Sequence, residues 1–348
     1  MMIEFLDDRS RQILYAVVQS YISKPDPVGS RFVTKKYSFG FSPATVRNIM
    51  ADLEDLGFLS QPHTSAGRVP TDKGYRFYVD ALPHIMGASE GDTEMGEFLC
   101  QFAKKLEGIR SDINGMFLEV TNALSLMSNY IGVVMPPKPE NTTFNRIDFI
   151  RYKGDKVVVI LLTEEGVIKN KIITVDPIFT QEDLNRIADY LNSEYSGRTI
   201  DEIRGMLIKK AHREKAVWDK LIARAIRIYE QAISFAENDV YVSGLYDMMN
   251  LPDFADISRI REIARAIKDK HTILKLLDEL SDAEGVQVVI GNENPVEELK
   301  SLSVVASTYK EKDRPMGVIA LIGPTRMDYS KAIYMVDTIA KCISRTFD

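Results

Sequence analysis

The stretch Ser42-Pro43-Ala44-Thr45-Val46-Arg47-Asn48-Ile49-Met50-Ala51-Asp52-Leu53-Glu54-Asp55-Leu56-Gly57 decides how the surrounding chain folds. Ser42 carries a side-chain oxygen suited to the free amides at a helix start, and Pro43 has its backbone angle preset for the first turn. Val46, Ile49, Met50, Leu53 and Leu56 recur with a helical period and make one apolar face, after which Gly57 supplies the usual stop. Ala44, Asn48, Ala51 and Asp55 lie opposite that stripe, with Thr45, Arg47 and Asp52 on its flanks. The exposed residues of the N-terminal half are small or polar, which suits a recognition helix whose first turns approach base edges. An ordinary amphipathic surface helix has the same pattern, so the neighbouring segments must discriminate.

Working outward, Ile13, Leu14, Val17, Val18, Tyr21 and Ile22 repeat as pairs four apart and predict a helix over 8–23, capped by Asp7 or Asp8 and ended by Pro25 and Pro27. A shorter helix is expected over 30–37, with Phe32 and Val33 inward and Arg31, Lys35 and Lys36 solvated. Residues 38–41 make the turn into the 42–57 helix. Beyond Gly57, residues 58–61 and 68–69 read as two short strands around the small-residue tip 63–67, limited to an edge hairpin by Pro62 and Pro70. Thr71 then caps a helix with Tyr75, Tyr78, Val79 and Leu82 on one face. Three helices followed by a hairpin is the order of a winged helix-turn-helix, whose wing lies over the flanking backbone or minor groove.

Charge supports this locally. The 348-residue chain carries a net charge of -6, which is not that of a nucleic-acid binder as a whole. Between Ser30 and Tyr78, however, the seven bases Arg31, Lys35, Lys36, Arg47, Arg68, Lys73 and Arg76 outnumber the four acids Asp52, Glu54, Asp55 and Asp72, a modest footprint for a phosphate-binding face. Cys100 and Cys342 imply no disulfide framework, and four scattered histidines offer no ligand spacing. Residues 1–8 lack a basic flank and a long apolar core, and the longest aliphatic runs are too short to span a bilayer, so a cytoplasmic protein without signal peptide is expected.

Four motifs then carry a resemblance: Pro27-Val28-Gly29-Ser30-Arg31; Ser42-Pro43-Ala44-Thr45-Val46-Arg47-Asn48; Gln61-Pro62-His63-Thr64-Ser65-Ala66-Gly67-Arg68-Val69-Pro70-Thr71; and Gly74-Tyr75-Arg76. In this order they resemble the signature of the HrcA family of heat-inducible transcription repressors. The sharp match covers roughly residues 9–80, and the rest agrees in length and layout. Where the family usually carries an acidic residue after Asn48, this chain has Ile49, which widens the apolar stripe and assigns that position to the core.

Downstream, residues 87–92 read as a linker. Leu99, Phe102, Leu106, Ile109, Ile113, Phe117, Val120, Leu124, Met127 and Ile131 are spaced three or four apart and imply a long helix, packed on its own sheet or on a second subunit. Strands are expected at 130–135, 146–151, 156–163 and 167–175, the last three antiparallel because the turns between them are short. Helices follow at 181–193, 200–213 and 215–236. Strands return at 240–243, 286–290, 302–309 and 316–322, around a helical stretch at 257–280, and a last helix covers 328–345. The pattern predicts an α+β multidomain protein. The resemblance implies the nesting: a winged helix-turn-helix at 1–86, a GAF-like domain in two parts at 87–143 and 237–348, and an inserted dimerisation domain at 144–236.

For DNA contacts, Arg47 and Asn48 are the leading base readers, since a guanidinium bridges a guanine edge and a carboxamide an adenine edge. Ala44 and Thr45 suit a thymine methyl. Ser42, Arg31, Lys35, Lys36 and Arg68 suit the backbone, while His63 and Thr64 near the tip serve either contact or turn formation. The chain has no Walker loop, G-x-S-x-G, H-E-x-x-H or Cys-x-x-Cys, so neither an enzyme, a metal nor a cofactor is expected. The resemblance implies a repressor of chaperone operons that binds an inverted-repeat operator as a homodimer and depends on a GroEL-type chaperonin for its active fold. The alternative is a repressor that senses a small molecule in the GAF-like domain, in a pocket near Val133, Val289 and Ile319.

Overall fold

A computed structural model describes residues 6–63, 66–86, 101–102, 104–106, 113–137, 142–175, 180–200, 202–203, 206, 240–254, 256–281, 283–312 and 314–347. The helices expected at 200–213 and 215–236, the linker at 87–92, and Leu99 and Ile109 of the long stripe lie wholly or mostly outside the described residues.

The N-terminal elements are α1 (Asp8–Ser23), α2 (Ser30–Lys36), α3 (Pro43–Asp55), β1 (Leu59–Ser60), β2 (Val69–Pro70) and α4 (Asp72–Met86). Asp7 caps α1, accepting the Ser10 amide at 2.8 Å. Ile13, Leu14, Val17, Val33, Val46, Met50 and Leu53 are buried, so α1, α2 and α3 share one core, each such aliphatic side chain stabilising by about 1.5–3 kcal/mol. Ile49 packs against that core but is only half-buried. Two residues differ from expectation. Phe32 is 51% exposed beside the Lys36 ammonium, 5.7 Å from its ring centre, because in so short a helix Val33 alone reaches the core. Leu56 is exposed because it falls at the helix end, where Gly57 takes φ +78 and turns the chain away.

The larger body is a five-stranded antiparallel sheet of β3 (Ile131–Met135), β7 (Tyr241–Ser243), β8 (Val286–Ile290), β9 (Leu302–Glu311) and β10 (Arg314–Pro324), in the order β7-β3-β10-β9-β8. Alternation along the strands gives it two buried faces. Val134, Val305, Ile319 and Leu321 join α5 (Ile113–Ser128) and the C-terminal α10 (Tyr329–Phe347) in the cluster that also holds the N-terminal core. Val133, Val304, Val318 and Ala320 face α8 (Ile257–Lys268) and α9 (Lys270–Ser281), which follow the short α7 (Leu245–Met249). Residues 257–280 form two helices rather than one stretch, because Asp269 is extended and its carboxylate accepts the Thr272 hydroxyl at 2.7 Å to start α9.

Phe102, Leu106, Ile113, Phe117, Val120 and Leu124 are buried in the first of these clusters, so the long stripe packs on its own chain. Its helix ends at Ser128, and Ile131 opens β3 instead of continuing it. Val133 and Ile319 lie on opposite faces of the sheet, which rules out one pocket lined by both. The third cluster belongs to a separate three-stranded antiparallel sheet of β4 (Phe144–Lys153), β5 (Lys156–Thr163) and β6 (Ile168–Thr174), covered on one face by α6 (Gln181–Tyr195).

Candidate nucleic-acid interface

The geometry of α3 starts from its cap. Ser42 Oγ accepts the Thr45 amide at 3.1 Å and lies 2.9 Å from the Thr45 hydroxyl, so the first turn is held at its entry. Val46, Met50 and Leu53 anchor the opposite side in the core. Ala44, Arg47 and Asn48 are left exposed, and the Arg47 and Asn48 side chains have no partner among the described residues. Thr45 is half-buried with its hydroxyl engaged, while Asp52 and Asp55 are exposed further along the helix.

The hairpin is built against α2 and α3 by backbone. Leu59 pairs with Pro70 and Ser60 with Val69. At its base, Val28 and Arg68 exchange both backbone hydrogen bonds, at 2.9 and 2.8 Å, which ties the segment before α2 to the returning strand. A Cβ on Gly67 would sit 2.4 Å from the Val28 carbonyl carbon, so only glycine permits that approach. Gln61 Nε2 donates to the Ala66 carbonyl at 2.9 Å across the base of the tip. His63 is exposed; Thr64 lies outside the described residues.

The structure divides the seven cations into two groups. Arg68 Nη2 is 2.7 Å from Glu54 Oε2, joining the hairpin to α3. Lys73 donates to the Leu56 carbonyl at 2.8 Å over the Phe58 ring, and Arg76 turns to Glu293 and the Val288 carbonyl. Arg31, Lys35, Lys36 and Arg47 form no ion pair among the described residues, and Lys36 rests near the Phe32 and Tyr37 rings. Of the seven, those with neither an ion pair nor a side-chain hydrogen bond among the described residues all lie on α2 and α3. Arg31, Arg47 and Arg68 also line one cleft of about 710 Å³, together with Val28, Gln61 and Gly67. Sequence reading missed this convergence and the Val28–Arg68 bridge behind it; the glycine before Arg68 was the available signal.

Comparisons with known proteins identify the family. Residues 114–333 match the family model described as the HrcA protein C terminal domain. The "Heat-inducible transcription repressor HrcA" of Thermodesulfovibrio yellowstonii is 50% identical over 341 residues, covering 98% of each chain. The protein of the same description in Geobacter sulfurreducens is 38% identical over 343 residues, covering 99% of this chain and 98% of its own. A crystal structure described only as that of a hypothetical protein at 2.2 Å resolution superposes with a TM-score of 0.65 at 26% identity, covering 98% of both chains. These findings define a transcription repressor rather than an enzyme. The chain belongs to the HrcA family of heat-inducible transcription repressors.

Proposed function

We propose that the chain represses by binding an inverted-repeat operator of chaperone operons as a homodimer, through a winged helix-turn-helix in which α3 reads bases and the β1-β2 hairpin is the wing. The observation that carries this reading is the exposed, unpartnered pair Arg47 and Asn48 on the first turns of α3, beside the unpaired cations of α2. Arg47 and Asn48 take base edges, each good bidentate contact contributing about 1–3 kcal/mol of discrimination. Ala44 and the Thr45 methyl meet thymine methyls. Arg31, Lys35, Lys36, Ser42 and His63 hold phosphates, and Arg68 assists from the cleft while bound to Glu54.

The same reading assigns residues 1–86 to DNA binding, 87–143 and 237–348 to a GAF-like domain, and 144–236 to an inserted dimerisation domain. Support for a separate unit comes from its own core and from a tie at its entrance: the β4-β5-β6 sheet and α6 form their own buried cluster, Thr143 bridges Thr199 within the unit, and the Phe144 amide donates to the Arg198 carbonyl at 2.8 Å. The outer face of its sheet exposes Ile150, Tyr152, Ile168 and Ile172, an apolar surface suited to a second copy. Chaperonin dependence gains support from topology. Val134 pairs with Ile319, so the central strands must meet across a long intervening stretch of chain, and such non-local pairing is slow and leaves apolar surface open during folding.

Titration of the purified chain with operator duplex at several salt concentrations, with and without a GroEL-type chaperonin during refolding, tests the reading. A dimer in sedimentation, salt-dependent operator binding, and a higher active fraction after chaperonin-assisted refolding are expected. A monomer at micromolar concentration that stays monomeric on operator DNA would overturn it.

A further inference from the structure

The Gly74-Tyr75-Arg76 segment belongs to the DNA-binding part of the sequence, yet its contacts run the other way. Gly74 lets α4 approach the hairpin, since a Cβ there would lie 2.2 Å from the Phe58 carbonyl oxygen. Tyr75 is buried against Tyr329 of α10, with ring centres 5.9 Å apart. Arg76 Nε donates to Glu293 Oε1 at 2.8 Å, and its Nη2 donates to the Val288 carbonyl at 2.6 Å and to the other Glu293 oxygen. One turn earlier, Asp72 Oδ2 accepts the Asn292 amide at 3.0 Å and the Asn292 side chain at 2.8 Å. Gly291 takes φ +51 there, and a Cβ on it would lie 2.4 Å from Asp72 Oδ2.

These ties join α4 to the β8 edge of the five-stranded sheet at several fixed lengths. The apolar contact around Tyr75 and Tyr329 supplies adhesion, which is non-directional. Polar bonds of defined geometry add direction. An inverted repeat presents its half-sites at one separation and one rotation, so a dimer gains from binding both only when its two reading helices are held at matching geometry.

We propose that Arg76 and Asp72 are positioning residues for operator recognition: held by Glu293, Val288 and Asn292, they fix the angle of the α1–α4 unit on the sheet and so set the spacing of half-sites that the dimer accepts. Neither residue contacts DNA. This rests on the operator-binding dimer proposed above, and the measurement separates the two. Wild type, Arg76→Met, Glu293→Gln and the double variant are titrated with a single half-site and with inverted repeats whose spacer varies base pair by base pair.

Wild type is expected to prefer one spacer. Each single variant is expected to lose about tenfold in affinity at that spacer and to flatten the spacing profile, with half-site affinity within about twofold of wild type. The double variant should be little worse than either single one, because both act through one tie. Glu293→Gln lies outside the DNA-binding segment, and half-site binding reports that the reading unit is folded. Unchanged spacing profiles in both single variants would overturn the inference, as would half-site affinity falling in parallel with full-site affinity. A wild type that binds inverted repeats no better than a half-site would overturn the operator-dimer reading and this inference with it.

Discussion

Helix α3 and the β4-β5-β6 sheet each bury one face and leave the other uncovered, with opposite chemistry. On α3 the open side carries Ala44, Arg47 and Asn48, small or polar groups in reach of the unpaired cations of α2. On the sheet, Ile150 stands beside Val158 and Ile172 across three strands, and Leu162 stands beside Ile168, so an apolar strip runs over the open side through Ile160 on the middle strand, flanked by the Arg146–Asp148 pair and Asn170. An uncovered polar face is satisfied by water until DNA replaces it. An uncovered apolar face of this kind is a liability unless another protein surface covers it. On the proposed reading, the two recognition events of a repressor, operator and second copy, fall to different parts of the chain.

The largest expected effect tests the apolar side. Replacing Ile150 and Ile172 with Asp puts charge into the middle of that face at exposed positions, so the chain should fold but sediment as a monomer, and operator affinity should fall about 100-fold as the two-site gain is lost. Dimers that persist in this variant would break the comparison. On the polar side, Arg47→Ala should lower discrimination between operator and scrambled duplex by about 1–3 kcal/mol, read from paired titrations. Ser42→Ala removes the acceptor for the Thr45 amide and should destabilise the start of α3 by about 1 kcal/mol, seen as faster hydrogen exchange at the first turn. Lys36→Ala should weaken operator and scrambled DNA about equally and reduce the salt slope by about 1.

The smallest effect concerns pH. Hydrogen bonds from the Ser10 side chain and amide hold the Asp7 carboxyl below the usual carboxylate range. Its capping contribution is therefore complete above the unfolded value of 3.8 and disappears as pH falls through the lower folded value. Asp7→Asn should remove that part of the acid sensitivity of α1, measured by amide exchange.

Much of this contrast was legible in the sequence because its signals are local. Ser42, Pro43 and Gly57 mark both ends of α3, and the structure gives Pro43–Asp55 between them. Alternation and short turns likewise gave β5 at Lys156–Thr163 and its antiparallel neighbours. What stayed hidden depended on partners distant in sequence. Charge counting adds Arg68 and Arg76 to the cations of this segment without showing Glu54 beside the first or Glu293 beside the second, and no periodicity reports a contact from position 76 to 293. Phe32 read as core by type, although a helix of seven residues offers the core room for little more than Val33. Asp269 divided a helical stretch through its own side-chain bonds, a signal present in the sequence but overridden by the flanking apolar pattern.

The central claim is that the first turns of α3 read bases while the α2 cations hold the backbone. The most direct test titrates wild type, Arg47→Ala and Lys36→Ala side by side with operator and scrambled duplexes across a salt series. The account predicts that Arg47→Ala lowers the operator-to-scrambled affinity ratio, whereas Lys36→Ala leaves the ratio unchanged and flattens the salt dependence. A ratio unaltered by Arg47→Ala would contradict it.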